Sequence, residues 1–292
     1  MRTWTRVVVG YEASEPGRDA LVLGELLART VGGELLAARV ETDGDHGEAE
    51  ATAELSRELT AALAGSSVRF GALAASGSSP WHALLELVES DQRAGLIVLG
   101  STHRSGIGRV LPGGTAERLF AGAPTSIAVA PRGYAETAAA DGGTPLADDL
   151  RVLAVGFDAS PEGEAALTLA AELATAAGAT LRVVAVGAHI PANVEPSQNP
   201  TPEATAFDLQ QALHDAVAGL PDELRALPIY ERGDPARVVL EQAEMGVDLL
   251  VLGSRGRGPV GSVLLGSTSS AVIASSPCPV VVVPRPALAS HQ

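Results

Sequence analysis

The sequence predicts an α/β protein of two tandem units, each a parallel sheet covered by helices on both faces. Three observations predict it. The segments 6–12, 95–99, 151–157 and 247–252 are short, nearly continuous apolar runs, as strands buried on both faces are. Segments with helical patterning alternate with them, opened by Ser/Pro or Asp/Pro signals and closed by glycine. The whole order then begins again: Gly10, Ser14 and Gly32 recur as Gly156, Ser160 and Gly178 at an offset of 146, and Gly100 and Pro131 recur as Gly253 and Pro284 at an offset of 153.

In the first unit, 6–12 is the first strand, and Ser14-Glu15-Pro16 starts a helix over 19–30, because serine caps and proline suits a first turn. Gly32 and Gly33 end that helix. Residues 34–40 form the second strand, an acidic loop leads to a helix over 51–64, and 68–75 form a third strand. Pro80 opens a helix over 81–91, the fourth strand is 95–99, a loop spans 100–114, and a helix at 115–121 precedes the last strand at 126–130. Residues 133–149 lack hydrophobic periodicity and read as a linker, which sets a first domain at 1–132 and a second at 150–286, with a tail at 287–292. The second unit repeats the pattern with strands at 151–157, 181–186, 228–232, 247–252 and 280–283 and helices at 203–218, 236–245 and from 268. Its seven extra residues are expected in the long loop after 187.

Composition excludes several function classes. With 20 basic against 35 acidic residues, the formal charge of −15 disfavours nucleic acid and anionic membranes as partners. All basic residues are arginine, so no Walker lysine or Schiff-base lysine exists. The single Cys278 has no partner for an internal disulfide and reads as a small buried hydrophobe. No signal-peptide stretch or membrane-length apolar run occurs, and a cytoplasmic protein is expected. The six histidines show no metal-ligand spacing, and no Gly-x-Ser-x-Gly elbow occurs.

Ligands of parallel α/β sheets bind beyond the carboxyl ends of the strands. At that edge of the second unit the sequence brings Gly156 and Asp158 after the first strand, Val186 at the end of the second, and the loop GSRGRGPVGSVLLGS at 253–267 after the fourth. A carboxylate there suits ribose hydroxyls, a strand-end backbone can read adenine, and glycine N–H groups at a helix start suit phosphate. Gly253, Gly256, Gly266 and Ser267 are the phosphate candidates, and Arg255 and Arg257 add positive charge. The alternative for any one of these is a tight turn or a helix cap. Gly256-Arg-Gly258-Pro-Val-Gly261 also matches a dinucleotide fingerprint, but it follows a fourth strand and lacks the later acidic residue, so NAD is set aside.

The spacing Gly-x-x-Gly-x(9)-Gly-Ser, preceded by DLLVLG and followed by a helix and PCPVVVVP, resembles the ATP-binding signature of the universal stress protein family. The opening AVGFDASPEGEAAL is similar to that family's first strand and helix, so the likeness covers 150–286. It implies tandem Rossmann-like, adenine nucleotide alpha hydrolase-like domains, each with a five-stranded parallel sheet of order 3-2-1-4-5. It further implies that Asp158 and Val186 hold ribose and adenine, and that Gly253, Ser254, Arg255, Gly256 and Arg257 with Gly266, Ser267, Thr268 and Ser269 hold the phosphates of ATP with Mg2+ or Mn2+. The family's last strand pairs domains, which makes 127–130 and 280–283 the expected interface, between the two halves or in a homodimer.

The first unit is similar but departs from the motif. Glu12 replaces the aspartate, His103 stands where the second glycine is expected, and Gly113 and Gly114 stand where Gly266 and Ser267 do; Val40, Gly100 and Thr115 complete the weaker set. Each lost hydrogen bond to a charged phosphate costs roughly 1.5–3 kcal/mol. The expectation is an ATP-binding regulatory protein whose nucleotide sits mainly in the second unit, with no catalytic residue and no protein metal site. The alternatives are a slow ATP hydrolase or nucleotide-dependent transferase on the same fold, and a scaffold with idle sites. A downstream protein partner is not legible.

Overall fold

The runs of Val, Leu and Ile form the central strands of two compact units, Met1–Asp149 with Pro277–Val281, and Leu150–Ser276 with Val282–Gln292. The computed structural model describes residues 5–41, 47–77, 79–102, 110, 112–140, 149–188, 202–254 and 265–284. In the first repeat, β1 (Arg6–Gly10), β2 (Glu34–Glu41), β3 (Arg69–Ser76), β4 (Ala94–Gly100) and β5 (Ser126–Ala130) lie in the order β3-β2-β1-β4-β5. Their pairings are parallel. In the second repeat, β6 (Val152–Gly156), β7 (Thr180–Ala188), β8 (Ala226–Gly233), β9 (Leu249–Gly253) and β10 (Val280–Val283) follow the order β8-β7-β6-β9-β10, with parallel pairing of β6 to β7 and β9, and of β7 to β8. Each repeat therefore has the doubly wound order 3-2-1-4-5, whose direction reverses between its first and fourth strands.

Burial follows the apolar runs. Val7, Val8, Val9, Ile97 and Val98 in the first unit, and Leu153, Val155, Leu249, Leu250 and Val251 in the second, are 0% exposed. Each such side chain contributes about 1.5–3 kcal/mol relative to exposure, so the paired first and fourth strands anchor the edge where the site lies.

The first helices, α1 (Glu15–Val31) and α6 (Pro161–Ala177), begin as their capping residues dictate. Ser14 Oγ accepts from Gly17 N at 3.2 Å and Ser160 Oγ from Gly163 N at 3.0 Å. Both end at left-handed glycines, Gly32 (φ 62) and Gly178 (φ 65), where only glycine is unstrained. Of the helices that follow in the first repeat, α2 spans Glu48–Ala62, α3 Pro80–Ser90 and α4 Gly114–Gly122. Those of the second repeat are α7 (Pro202–Ala218), α8 (Pro235–Glu244) and α9 (Ser267–Ser275). No helix among the described residues is long and apolar enough to cross a membrane.

The strand registers refine where the extra residues fall. Leu35 faces Phe70 and Leu181 faces Ala226, an offset of 156 for the third strands. Ten residues are therefore added before β8 and three are lost between β8 and β9, rather than seven being added in one loop. The linker read at 133–149 also holds a short helix, α5 (Tyr134–Ala140). Asp19 of α1, 2% exposed, accepts from Gly133 N at 2.9 Å through Oδ2 and from Ala135 N at 2.8 Å through Oδ1. Arg132 pairs beside it with Glu15 at 2.9 Å. A cap supplied from more than a hundred residues upstream leaves no local signal, so sequence periodicity missed this helix. Burial pushes Asp19 above the usual carboxylate range against the pull of those two backbone donors, with Glu15 and Glu136 adding to the rise.

Candidate functional site

At the carboxyl edge of the first unit, a cavity of about 300 Å³ opens where β1, β2 and β4 end and α1 and α4 begin. Every described residue of the weaker predicted set lines it: Glu12, Val40, Gly100, Gly113, Gly114 and Thr115. His103 lies outside the described residues. Leu84, Leu99 and Ala38 make the wall apolar, and Glu12 supplies a carboxylate that accepts from Ser14 Oγ at 3.0 Å. The N-cap of α4 is Gly113, with no side-chain cap, so the first-turn N–H groups of that helix are left to water or a ligand.

The second unit builds the same edge with different side chains. Asp158 Oδ1 accepts from Ser160 N at 3.0 Å and from Ser160 Oγ at 2.5 Å. Its Oδ2 makes no hydrogen bond among the described residues, which leaves an oriented acceptor. Val186 is half-buried near the end of β7. Gly266 is the N-cap of α9, again without a side-chain cap, and its N–H donates to Ser254 O at 2.8 Å. Ser267 is exposed and Thr268 half-buried in the first turn, whereas Ser269 is buried and donates to Gly253 O at 2.8 Å. Ser269 thus ties the start of α9 to the end of β9. Arg255, Gly256 and Arg257 lie outside the described residues.

The first glycine of each motif has a packing cause. A Cβ at Gly100 would stand 2.0 Å from Pro16 O, and one at Gly253 2.9 Å from the Glu162 carbonyl carbon. In both units this glycine lets the end of the fourth strand pass the first turn of the first helix. Gly156 is similarly close to Leu252, whose Cδ2 would lie 2.9 Å from an added Cβ. The turn and packing alternative therefore accounts for Gly100 and Gly253 without a ligand, and for one oxygen each of Asp158 and Glu12 through the adjacent serines, while the helix starts without a side-chain cap and Asp158 Oδ2 are not accounted for in that way.

Sequence reasoning missed three arrangements at this edge. Arg39, on the cavity wall, lies over the Tyr11 ring at 5.6 Å and pairs with Glu58 of α2. Burial and the negative Glu58 push the Tyr11 phenol up, against the opposing pull of Arg39. Trp81 stacks on His82 at 3.8 Å with Arg118 of α4 at 5.5 Å from its ring, at the starts of α3 and α4. In the second unit Tyr230 of β8 carries a buried hydroxyl. Each joins residues on different elements, or lies on a third strand for which the sequence named no site residue. Among the described residues, no group of three or more His, Cys, Asp and Glu is placed to hold a metal ion.

Comparison with known proteins gives a consistent result. A model of the universal stress protein family matches residues 3–131 and again 150–284. A universal stress protein of Mycolicibacterium smegmatis is 32% identical over 201 residues, 68% of this chain and 64% of the relative. One of Mycobacterium tuberculosis is 28% identical over 306 aligned positions, covering 95% of this chain and 99% of the relative. In fold, the chain resembles the crystal structure of a universal stress protein from Archaeoglobus fulgidus, with a TM-score of 0.70 and 21% identity over 97% of this chain and 100% of that one. The chain belongs to the universal stress protein family, with the family's domain present twice in tandem.

Proposed function

We propose that this chain is an ATP-binding regulatory protein of the universal stress response, acting in the cytoplasm and holding its nucleotide mainly in the second unit. The observation that carries the reading is the meeting, at one sheet edge, of an oriented carboxylate and an uncapped helix start. Asp158 offers Oδ2 to ribose hydroxyls, with Oδ1 already held by Ser160. The backbone at Val186 takes the adenine edge. The first turn of α9, with Gly266, Ser267 and Thr268, takes the phosphates, where N–H groups and the positive dipole end favour negative charge. Gly253, Ser254 and Ser269 then act by fixing the β9–α9 geometry. Mg2+, if bound together with the nucleotide beside Ser267 and Thr268, would offset part of the negative charge of the phosphates.

In the first unit the same edge encloses a real cavity, so that unit is not collapsed. Its weaker binding is attributed to chemistry: Glu12 is a methylene longer than Asp158 and Gly114 lacks the hydroxyl of Ser267. The output is a conformation or a partner contact rather than a product. The test is to denature freshly purified full-length protein, quantify the adenine nucleotide released per chain, and titrate the stripped protein with ATP. One tight site, lost in Asp158→Ala and kept in Glu12→Ala, is the expected result. Two equal sites, or loss only in Glu12→Ala, would overturn the assignment, and steady conversion of ATP to ADP would point to a hydrolase instead.

A further inference from the structure

The Tyr230 hydroxyl is buried and makes no hydrogen bond among the described residues. Tyr230 stands on β8 opposite Ala185 of β7, and its ring reaches along the strand to Gly187, where an added Cβ would lie 2.2 Å from the hydroxyl oxygen. Glycine at 187 is thus a steric condition for bringing a phenol to this point. A buried hydroxyl without a partner is destabilising, and phenylalanine would fill the same space without that cost. Two residues are therefore spent on presenting a group that ligand-free packing does not use.

The internal repeat says where that group lies. Ala185 and Val186 correspond to Arg39 and Val40, which both line the first unit's cavity. Arg39 is opposite Ala74, so the first unit has alanine where the second has Tyr230. The phenol consequently stands beside the strand end whose counterpart, Arg39 and Val40, lines the first unit's cavity, at the carboxyl edge where such sheets bind ligands.

We infer that Tyr230 is a specificity-determining residue of the second unit: its hydroxyl hydrogen-bonds the nucleoside end of the bound nucleotide, not its phosphates. This rests on the nucleotide reading above. Oη can both donate and accept, so it suits the edge of a base or a ribose hydroxyl, and its absence from the first unit adds a reason for the two units to differ in affinity.

The test compares Tyr230→Phe with wild type in the full chain, by calorimetric titration with ATP and, separately, with adenosine, and by thermal unfolding without ligand. A lost neutral hydrogen bond predicts roughly 3- to 10-fold weaker binding of both ligands by the same factor, because the bond lies in the part they share. The ligand-free midpoint is expected to stay level or rise, because the variant removes an unsatisfied buried hydroxyl. A lower ligand-free midpoint with unchanged affinities would make the hydroxyl structural and overturn the inference. Weakening of ATP alone would move the contact to the phosphates and overturn it equally. If wild type binds ATP and Tyr230→Phe binds it as well, only this inference falls; if wild type binds neither ligand, the nucleotide reading falls and this one with it.

Discussion

Replacing Gly100 by alanine separates packing from ligand contact at the motif's first glycine. The new Cβ would stand 2.0 Å from Pro16 O, 2.5 Å from its carbonyl carbon and 2.7 Å from its Cα. All three are backbone atoms of the first turn of α1, so no rotamer change can relieve the overlap and the helix start must move. The same change at Gly253 meets Glu162 at 2.9, 2.9 and 3.0 Å, a milder overlap, but again with backbone atoms and a Cβ that no rotamer change can move. Overpacking costs about 1–3 kcal/mol, occasionally more, which assigns ~3 kcal/mol to Gly100→Ala and ~1 kcal/mol to Gly253→Ala. At ~2–4 °C per kcal/mol for a unit of this size, the midpoints fall by ~6–12 °C and ~2–4 °C respectively. Calorimetric unfolding of ligand-free full-length protein reads both. Should Gly100→Ala unfold at the wild-type temperature while the first unit loses a ligand, the glycine would be serving close approach of that ligand and the packing argument would be wrong.

Three further outcomes follow from the same contacts. Asp19→Asn leaves one acceptor for two donors, Gly133 N and Ala135 N, and is expected to cost about 1–3 kcal/mol and to speed amide hydrogen exchange across α5 selectively; unchanged exchange there would mean the helix does not depend on this cap. Burial pushes Asp91 up, but the Arg93 backbone N–H, the Arg6 charge and the Arg93 side chain outweigh it, so its carboxyl sits below the usual range. Its stabilising effect is present above the ordinary carboxylate pKa and is lost as pH falls through the lowered one, so Asp91→Asn is expected to be less stable than wild type at neutral pH and to converge with it in acid; parallel stability curves would contradict this. For Asp158→Ala, saturating ATP is expected to raise the unfolding midpoint far less than it does for wild type, where a ligand at a hundred times its Kd is expected to add about 2.7 kcal/mol; equal shifts would contradict the assignment.

Strand and helix placement was legible because local signals and tertiary packing agree. Continuous apolar runs became the buried β1, β4, β6 and β9, and Ser14 and Ser160 cap the helices they were read to start. What escaped was carried by contacts distant in sequence: Asp19 capping α5, Glu58 holding Arg39, and Tyr230 fitting over Gly187. Glycine was the least legible residue, because one glycine meets the needs of a phosphate and of a tight crossing equally well. The distances at Gly100 show the crossing to be sufficient cause.

Duplication supplies a comparison that a single domain lacks. Between the units the buried strands keep their character: Val7, Val8 and Val9 answer to Leu153, Ala154 and Val155, all fully buried. Differences of chemical kind also stand at the carboxyl edge, where Tyr11, Arg39 and Ala74 in the first unit answer to Phe157, Ala185 and Tyr230 in the second, and Glu12 answers to Asp158. There Arg39 is held by Glu58 and Tyr11, and Tyr230 is admitted by Gly187. Two compensated and unlike arrangements at matching positions would suit the proposed difference in nucleotide affinity between the two units.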